Sequence, residues 1–108
     1  MPKYLGLFRY SPDGAKGLLK EKAAAREAAI RKFYEDIGGK VEATYWMIGG
    51  EYSGAVVVEL PNAATSAAVG MVVGASGAFD AVTATEIITS SELDRGLAKT
   101  MTYRPPGG

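Results

Sequence analysis

Residues 47–61 read MIGGEYSGAVVVELP, and the chain changes character in the middle of them. Gly49, Gly50 and the short polar triplet Glu51, Tyr52 and Ser53 precede a run, Gly54 to Leu60, that is apolar on both of its alternating faces apart from Glu59. Successive side chains of a β-strand point to opposite sides, so this strand asks to be buried twice. A chain of 108 residues supports a single core. Helices of the chain itself can cover one side, and the other then needs a cover from outside the chain.

The flanking sequence supplies the remaining elements. Upstream, Lys40 to Ile48 alternates Val41, Ala43, Tyr45 and Met47 with Glu42, Thr44, Trp46 and Ile48, and Gly49-Gly50 joins it to the run as a hairpin. Further back, about Ala15 to Ile37 spaces Leu19, Ala23, Ile30, Phe33 and Ile37 three, four or seven apart, which predicts one helix closed by Gly38-Gly39. Before it, Ser11-Pro12-Asp13-Gly14 has turn chemistry. Lys3 to Tyr10 is the first strand, with Leu5 and Leu7 opposed to Tyr4, Phe8 and Tyr10.

Downstream, Pro61 stops the run and Asn62 caps a helix over about Ala63 to Ala75. Ser66, Gly70 and Gly74 on one stripe of that helix predict unusually close packing, offsetting a glycine cost of about 1 kcal/mol each. A fourth strand follows over about Ala78 to Thr89. Thr89 and Glu92 have the spacing of a capping box for a short last helix to about Thr100, and residues 101–108 form an extended tail.

The order β-α-β-β-α-β predicts an α+β, ferredoxin-like fold in a single domain over residues 1–108. Its sheet is four-stranded and antiparallel, and right-handed crossovers place both long helices on one face. The other face stays bare. Tyr4, Phe8, Tyr10, Trp46, Val57 or Val58, and Thr83 or Thr85 are the residues expected to line it. A bare face of that size exceeds what a soluble monomer usually exposes, so a homodimer packed sheet to sheet is expected.

Several stretches resemble one family. MPKYLGLFRYSPDG at the start, IGGKVEATYW, GGEY, VVVELPNAAT, VGASGAF and the closing YRPPG look like the GYD domain proteins, which sit within the dimeric α+β barrel group. The resemblance covers nearly the whole chain and implies the dimeric barrel assembly. It carries no settled activity. Relatives have a Gly-Tyr-Asp stretch where this chain reads Gly50-Glu51-Tyr52-Ser53, so Ser53 stands in place of the family's aspartate.

Composition closes much chemistry. There is no cysteine and no histidine, which removes thiolate nucleophiles, the commonest general base and the usual metal and haem ligands. No metal, haem or other cofactor is expected. Twelve basic and twelve acidic residues balance, giving no electrostatic footprint for nucleic acid. Lys3 and Arg9 are too little charge for an RNA-binding sheet. The glycine-rich stretches lack the strand-loop-lysine context of a phosphate loop. Leu60 to Phe79 holds twenty residues without a charge, yet Pro61, Asn62, three glycines and three hydroxyl residues interrupt it, so it is no spanning helix. No signal segment is read, and a cytoplasmic protein is the expectation.

The candidate ligand-binding residues are Tyr10, Trp46, Tyr52 and Glu86. The three aromatics either hold a small planar ligand in the dimer interior or pack the dimer interface. Glu86 is either a buried acid among apolar neighbours, suited to proton chemistry, or an edge residue reaching solvent or Arg9. Glu51 and Tyr52 beside the Gly-Gly turn offer a gate, and Arg104 with the Pro-Pro tail a cover. The favoured reading is a non-enzymatic, homo-oligomeric module binding a small apolar or aromatic molecule, with no catalytic residue assigned. The alternative is a cofactor-free enzyme, monooxygenase- or isomerase-like, acting on an aromatic or quinone-like substrate.

Overall fold

The computed structural model describes residues 1–108. The elements run β1 (Lys3–Tyr10), α1 (Pro12–Glu21), α2 (Ala23–Asp36), β2 (Lys40–Trp46), β3 (Gly54–Glu59), α3 (Ala63–Gly74), β4 (Phe79–Ile87) and α4 (Ser90–Leu97). The sheet order is β2-β3-β1-β4 with every pair antiparallel. This is the expected α+β, ferredoxin-like arrangement. No helix is long and apolar enough to cross a membrane.

The long first helix is in fact two. Lys22 between α1 and α2 has φ 78° and ψ 161°, a region that L side chains rarely enter and that costs about 1–3 kcal/mol. Glu21 and Arg26 bridge the break through a forked ion pair at 2.8–3.1 Å. The break turns Leu19 to solvent and Leu18 inward, so the stripe read through Leu19, Ala23 and Ile30 does not run on. Lys22→Gly is expected to stabilise the fold by about 1 kcal/mol in urea denaturation, because glycine accepts this conformation and relief of strain outweighs its larger unfolded-state entropy.

The helix also begins earlier than expected. Ser11-Pro12-Asp13-Gly14 is no turn: the Ser11 hydroxyl accepts from the Gly14 amide at 3.1 Å as an N-cap, and Pro12 takes the first helical position. The caps at Asn62 and at Thr89 with Glu92 form as expected. The stripe of Ser66, Gly70 and Gly74 does not mark close packing. Ser66 is buried, but a Cβ on Gly70 or Gly74 would meet open space.

The faces of the sheet are reversed from the expectation. Tyr4, Val41, Val56, Val58 and Leu60 make the core with Ile30 and Tyr34 of α2, so the aromatic side of β1 lies under the helices. Residues opposed to Tyr4 and Phe8 share that side: Val58 and Gly54 of β3, Glu86 and Val82 of β4. Of the residues expected on the bare side, Val57 and Thr83 do lie there, with Leu5, Leu7, Ala43 and Ala55 in place of the aromatics, ringed by Lys3, Arg9, Glu42 and Glu59. Both sides of β1 are apolar, so alternation alone could not say which one receives the helices.

Two bulges set the faces of the strand ends. In β2 the register shifts so that Val41 faces Val58 while Ala43 faces Val57, leaving Glu42 as the extra residue. In β4, Tyr10 faces Phe79 while Arg9 faces Ala81, leaving Asp80 extra. A one-residue slip moves every later side chain to the other face. Trp46 therefore joins Val41 on the helix side, and Phe79 swings to the same side beside Tyr10. Arg31 of α2 fastens the first bulge by donating to the Val41 carbonyl at 3.1 Å.

Candidate functional site

The two bulges collect four rings at one end of the sheet. Tyr10 lies in a stack, 5.0 Å from Phe79 and 6.4 Å from Trp46 between ring centroids. Phe8 sets its edge against all three at 5.5–6.1 Å, the geometry that aromatic quadrupoles favour. Gly54 makes room for it, since a Cβ there would stand 2.4 Å from Phe8 Cζ.

Above these rings the helices do not close on the sheet. A cavity of about 620 Å³ remains between them, walled by Phe8, Tyr10 and Phe79 from the sheet, Leu18 of α1, Ile30 and Phe33 of α2, and Val73 of α3. The break at Lys22 bends α1 over one side of it. Ser11 ties the first turn of α1 to the turn before β4: its amide donates to the Ala78 carbonyl at 2.9 Å and its hydroxyl to the Gly77 carbonyl at 2.7 Å.

The polar groups of the wall are few. The Glu21–Arg26 pair sits at one side, with Asp13 nearby. Burial pushes the Tyr10 hydroxyl above its ordinary pKa, Arg26 opposes the rise and Glu21 adds to it. Burial also raises Tyr34. Both phenols are therefore proton-bearing donors at neutral pH. The wall is thus apolar and aromatic, with two phenol hydroxyls, one ion pair and Asp13 among its polar groups.

Of the residues singled out in the sequence, the structure brings Tyr10 and Trp46 together, with Tyr10 on the cavity wall and Trp46 behind it. Tyr52 lies half-buried in the loop between β2 and β3, outside the wall. Glu86 is exposed on the edge strand β4, opposite Tyr4. Tyr4 is six residues from Tyr10 along β1, about 20 Å at strand rise. Arg9 pairs with Glu51 at 3.3 Å rather than with Glu86. The wall residues not singled out as candidate site residues include Phe79, Phe33, Leu18, Arg26 and Glu21. Phe33 was legible in the α2 stripe, whereas Phe79 and the ion pair depend on the bulge at Asp80 and the break at Lys22.

Ser53 has a structural part. Its amide donates to the Phe8 carbonyl at 2.7 Å, and its hydroxyl accepts from the Tyr10 amide at 3.2 Å. It thereby fixes the end of β1 from which Tyr10 enters the stack. An acceptor oxygen is what the position requires, and a carboxylate supplies one too. Ser53→Ala is expected to cost about 1 kcal/mol in chemical denaturation, and Ser53→Asp to cost less.

No group of three or more acidic side chains is placed to hold a metal ion. A family model described as GYD domain matches residues 4–97. No curated protein and no solved structure matches the chain.

Proposed function

This chain belongs to the GYD domain family, and from that premise we propose that it is a homo-oligomeric small-molecule-binding module. Each copy takes one small planar, apolar or aromatic molecule between its sheet and its helices, and two copies pack through their bare sheet faces. The cavity of about 620 Å³ under aromatic walls carries this reading, because sites for small organic ligands are concave, mostly apolar and within roughly 300–1,000 Å³. Tyr10 offers a ring face to stack on and a hydroxyl to donate. The aliphatic sheet face supports the pairing, since Leu5, Leu7, Ala55 and Val57 have no helix over them.

Calorimetric titration with 2-naphthol as the probe tests the ligand half. One probe per chain is expected to bind to the wild-type protein. Ala29→Phe, which fills the space from α2, is expected to weaken binding at least about tenfold with the circular dichroism spectrum unchanged. Equal binding by the two proteins would remove the cavity from consideration.

A further inference from the structure

The C-terminal segment is the part of the chain with least cover. Beyond β4, every residue of α4 is exposed and the helix has no extensive contact with another element, and Leu93 and Leu97, one helical turn apart, are 52% and 68% exposed. Ile88 before them and Met101 and Tyr103 after them are exposed as well. The radius of gyration is 17.1 Å, against about 13 Å for a compact domain of this length. A helix of eight residues is too short to persist in water by propensity alone, so its apolar stripe calls for a surface.

A second bare cluster lies at the other end of the sheet. Tyr45, Met47 and Ile48 are all exposed, Ile48 at 98%, and they sit at the Trp46 end, whereas the arm leaves from the Ile87 end. The area argues for joining the two. Four strands at about 4.8 Å spacing and seven residues at about 3.3 Å rise give roughly 440 Å² of sheet face. A stable specific pair covers about 800 Å² on each partner. Taken flat, and with Tyr45 opposite Ala55 already inside it, the sheet face alone comes below that size.

We propose that Ile88 to Tyr103 is an exchanged arm, laid on a second copy of this chain over Tyr45, Met47 and Ile48. With a two-fold axis running across the strands between facing sheets, the Ile87 end of one sheet lies over the Trp46 end of the other, and the arm spans the three strand spacings, about 14 Å, from the β4 edge to the β2 edge. Each copy then gives an arm and receives one, and both bare clusters are covered in the same event. This rests on the sheet-to-sheet pairing proposed above and adds its missing area.

Sedimentation at micromolar concentration tests it with Leu93→Lys/Leu97→Lys, two changes at exposed positions. The wild-type protein is expected to be a dimer, and the double variant to dissociate at least about a hundredfold more readily, as loss of two buried leucines dictates, with its circular dichroism spectrum kept. The chain has no cysteine of its own. Oxidising an equimolar mixture of the Ile48→Cys and Leu97→Cys proteins, one of them tagged, is therefore expected to yield the mixed covalent dimer. A wild-type dimer that the double variant leaves intact, or absence of the mixed product, overturns the arm alone. A wild-type monomer overturns the arm together with the pairing beneath it.

Discussion

Gly14→Ala is expected to destabilise the protein by about 3 kcal/mol, read from the urea midpoint, although alanine is the better helix former. A Cβ on Gly14 would stand 2.0 Å from the Ala78 carbonyl oxygen and 2.9 Å from Tyr10 Cδ1. The nearer obstacle is backbone, and it cannot rotate away. That stretch is also pinned, because Ser11 bonds both the Gly77 and the Ala78 carbonyls. Either α1 lifts off the start of β4 or these bonds stretch, and overpacking of this kind costs about 1–3 kcal/mol before any hydrogen bond is lost.

Gly17 supplies the control within the same helix, since a Cβ there meets nothing within 4 Å. Gly17→Ala is expected to gain about 0.5–1 kcal/mol from propensity alone. Opposite signs for the two changes identify the close approach at Gly14. Matching signs would mean that α1 does not sit on Ala78. Gly14 and Gly17 both line the cavity, so the opposite signs in stability, and not probe binding, separate the two changes.

The position of Gly14 also explains what the sequence could and could not reveal. Ser-Pro-Asp-Gly satisfies a turn and a helix N-terminus equally, because proline fixes the same φ in both and serine caps either. Only the contact with Ala78, far away in the chain, decides. The element order, the caps at Asn62 and Thr89 and the stop at Pro61 rest on local chemistry, and they were legible. The bulges at Glu42 and Asp80 were not, since each adds one residue to a pattern that still alternates. Nor was the break at Lys22, a residue type that ordinarily continues a helix. These three irregularities bring Trp46, Phe79, Leu18 and Arg26 to one end of the fold. The aromatic residues were thus recognised as a group, while the face they occupy and the cavity they wall required the register.

Gly54→Ala probes the other point on which that register depends, and it is expected to cost about 2–3 kcal/mol in the same measurement. The new methyl would meet Phe8 at Cζ, 2.4 Å, and Cε2, 2.9 Å, as well as the Tyr45 carbonyl oxygen at 3.0 Å. Phe8 is buried and held edge-on by Tyr10, Trp46 and Phe79, so its ring has no vacant direction except toward the cavity. Phe8→Leu alone is expected to cost about 1–2 kcal/mol for lost aromatic contact and volume. It also shortens the side chain at the point of collision. The double variant should therefore be more stable than the sum of the two costs by about 1 kcal/mol or more, a coupling that only residues in direct contact show. Trp46 is the single tryptophan and stacks on Tyr10 beside Phe8, so its emission should shift in Gly54→Ala and return toward the wild-type value in the double variant. Strictly additive costs with an unmoved tryptophan spectrum would show that Phe8 does not lie across Gly54, and the aromatic floor of the cavity would have to be redrawn.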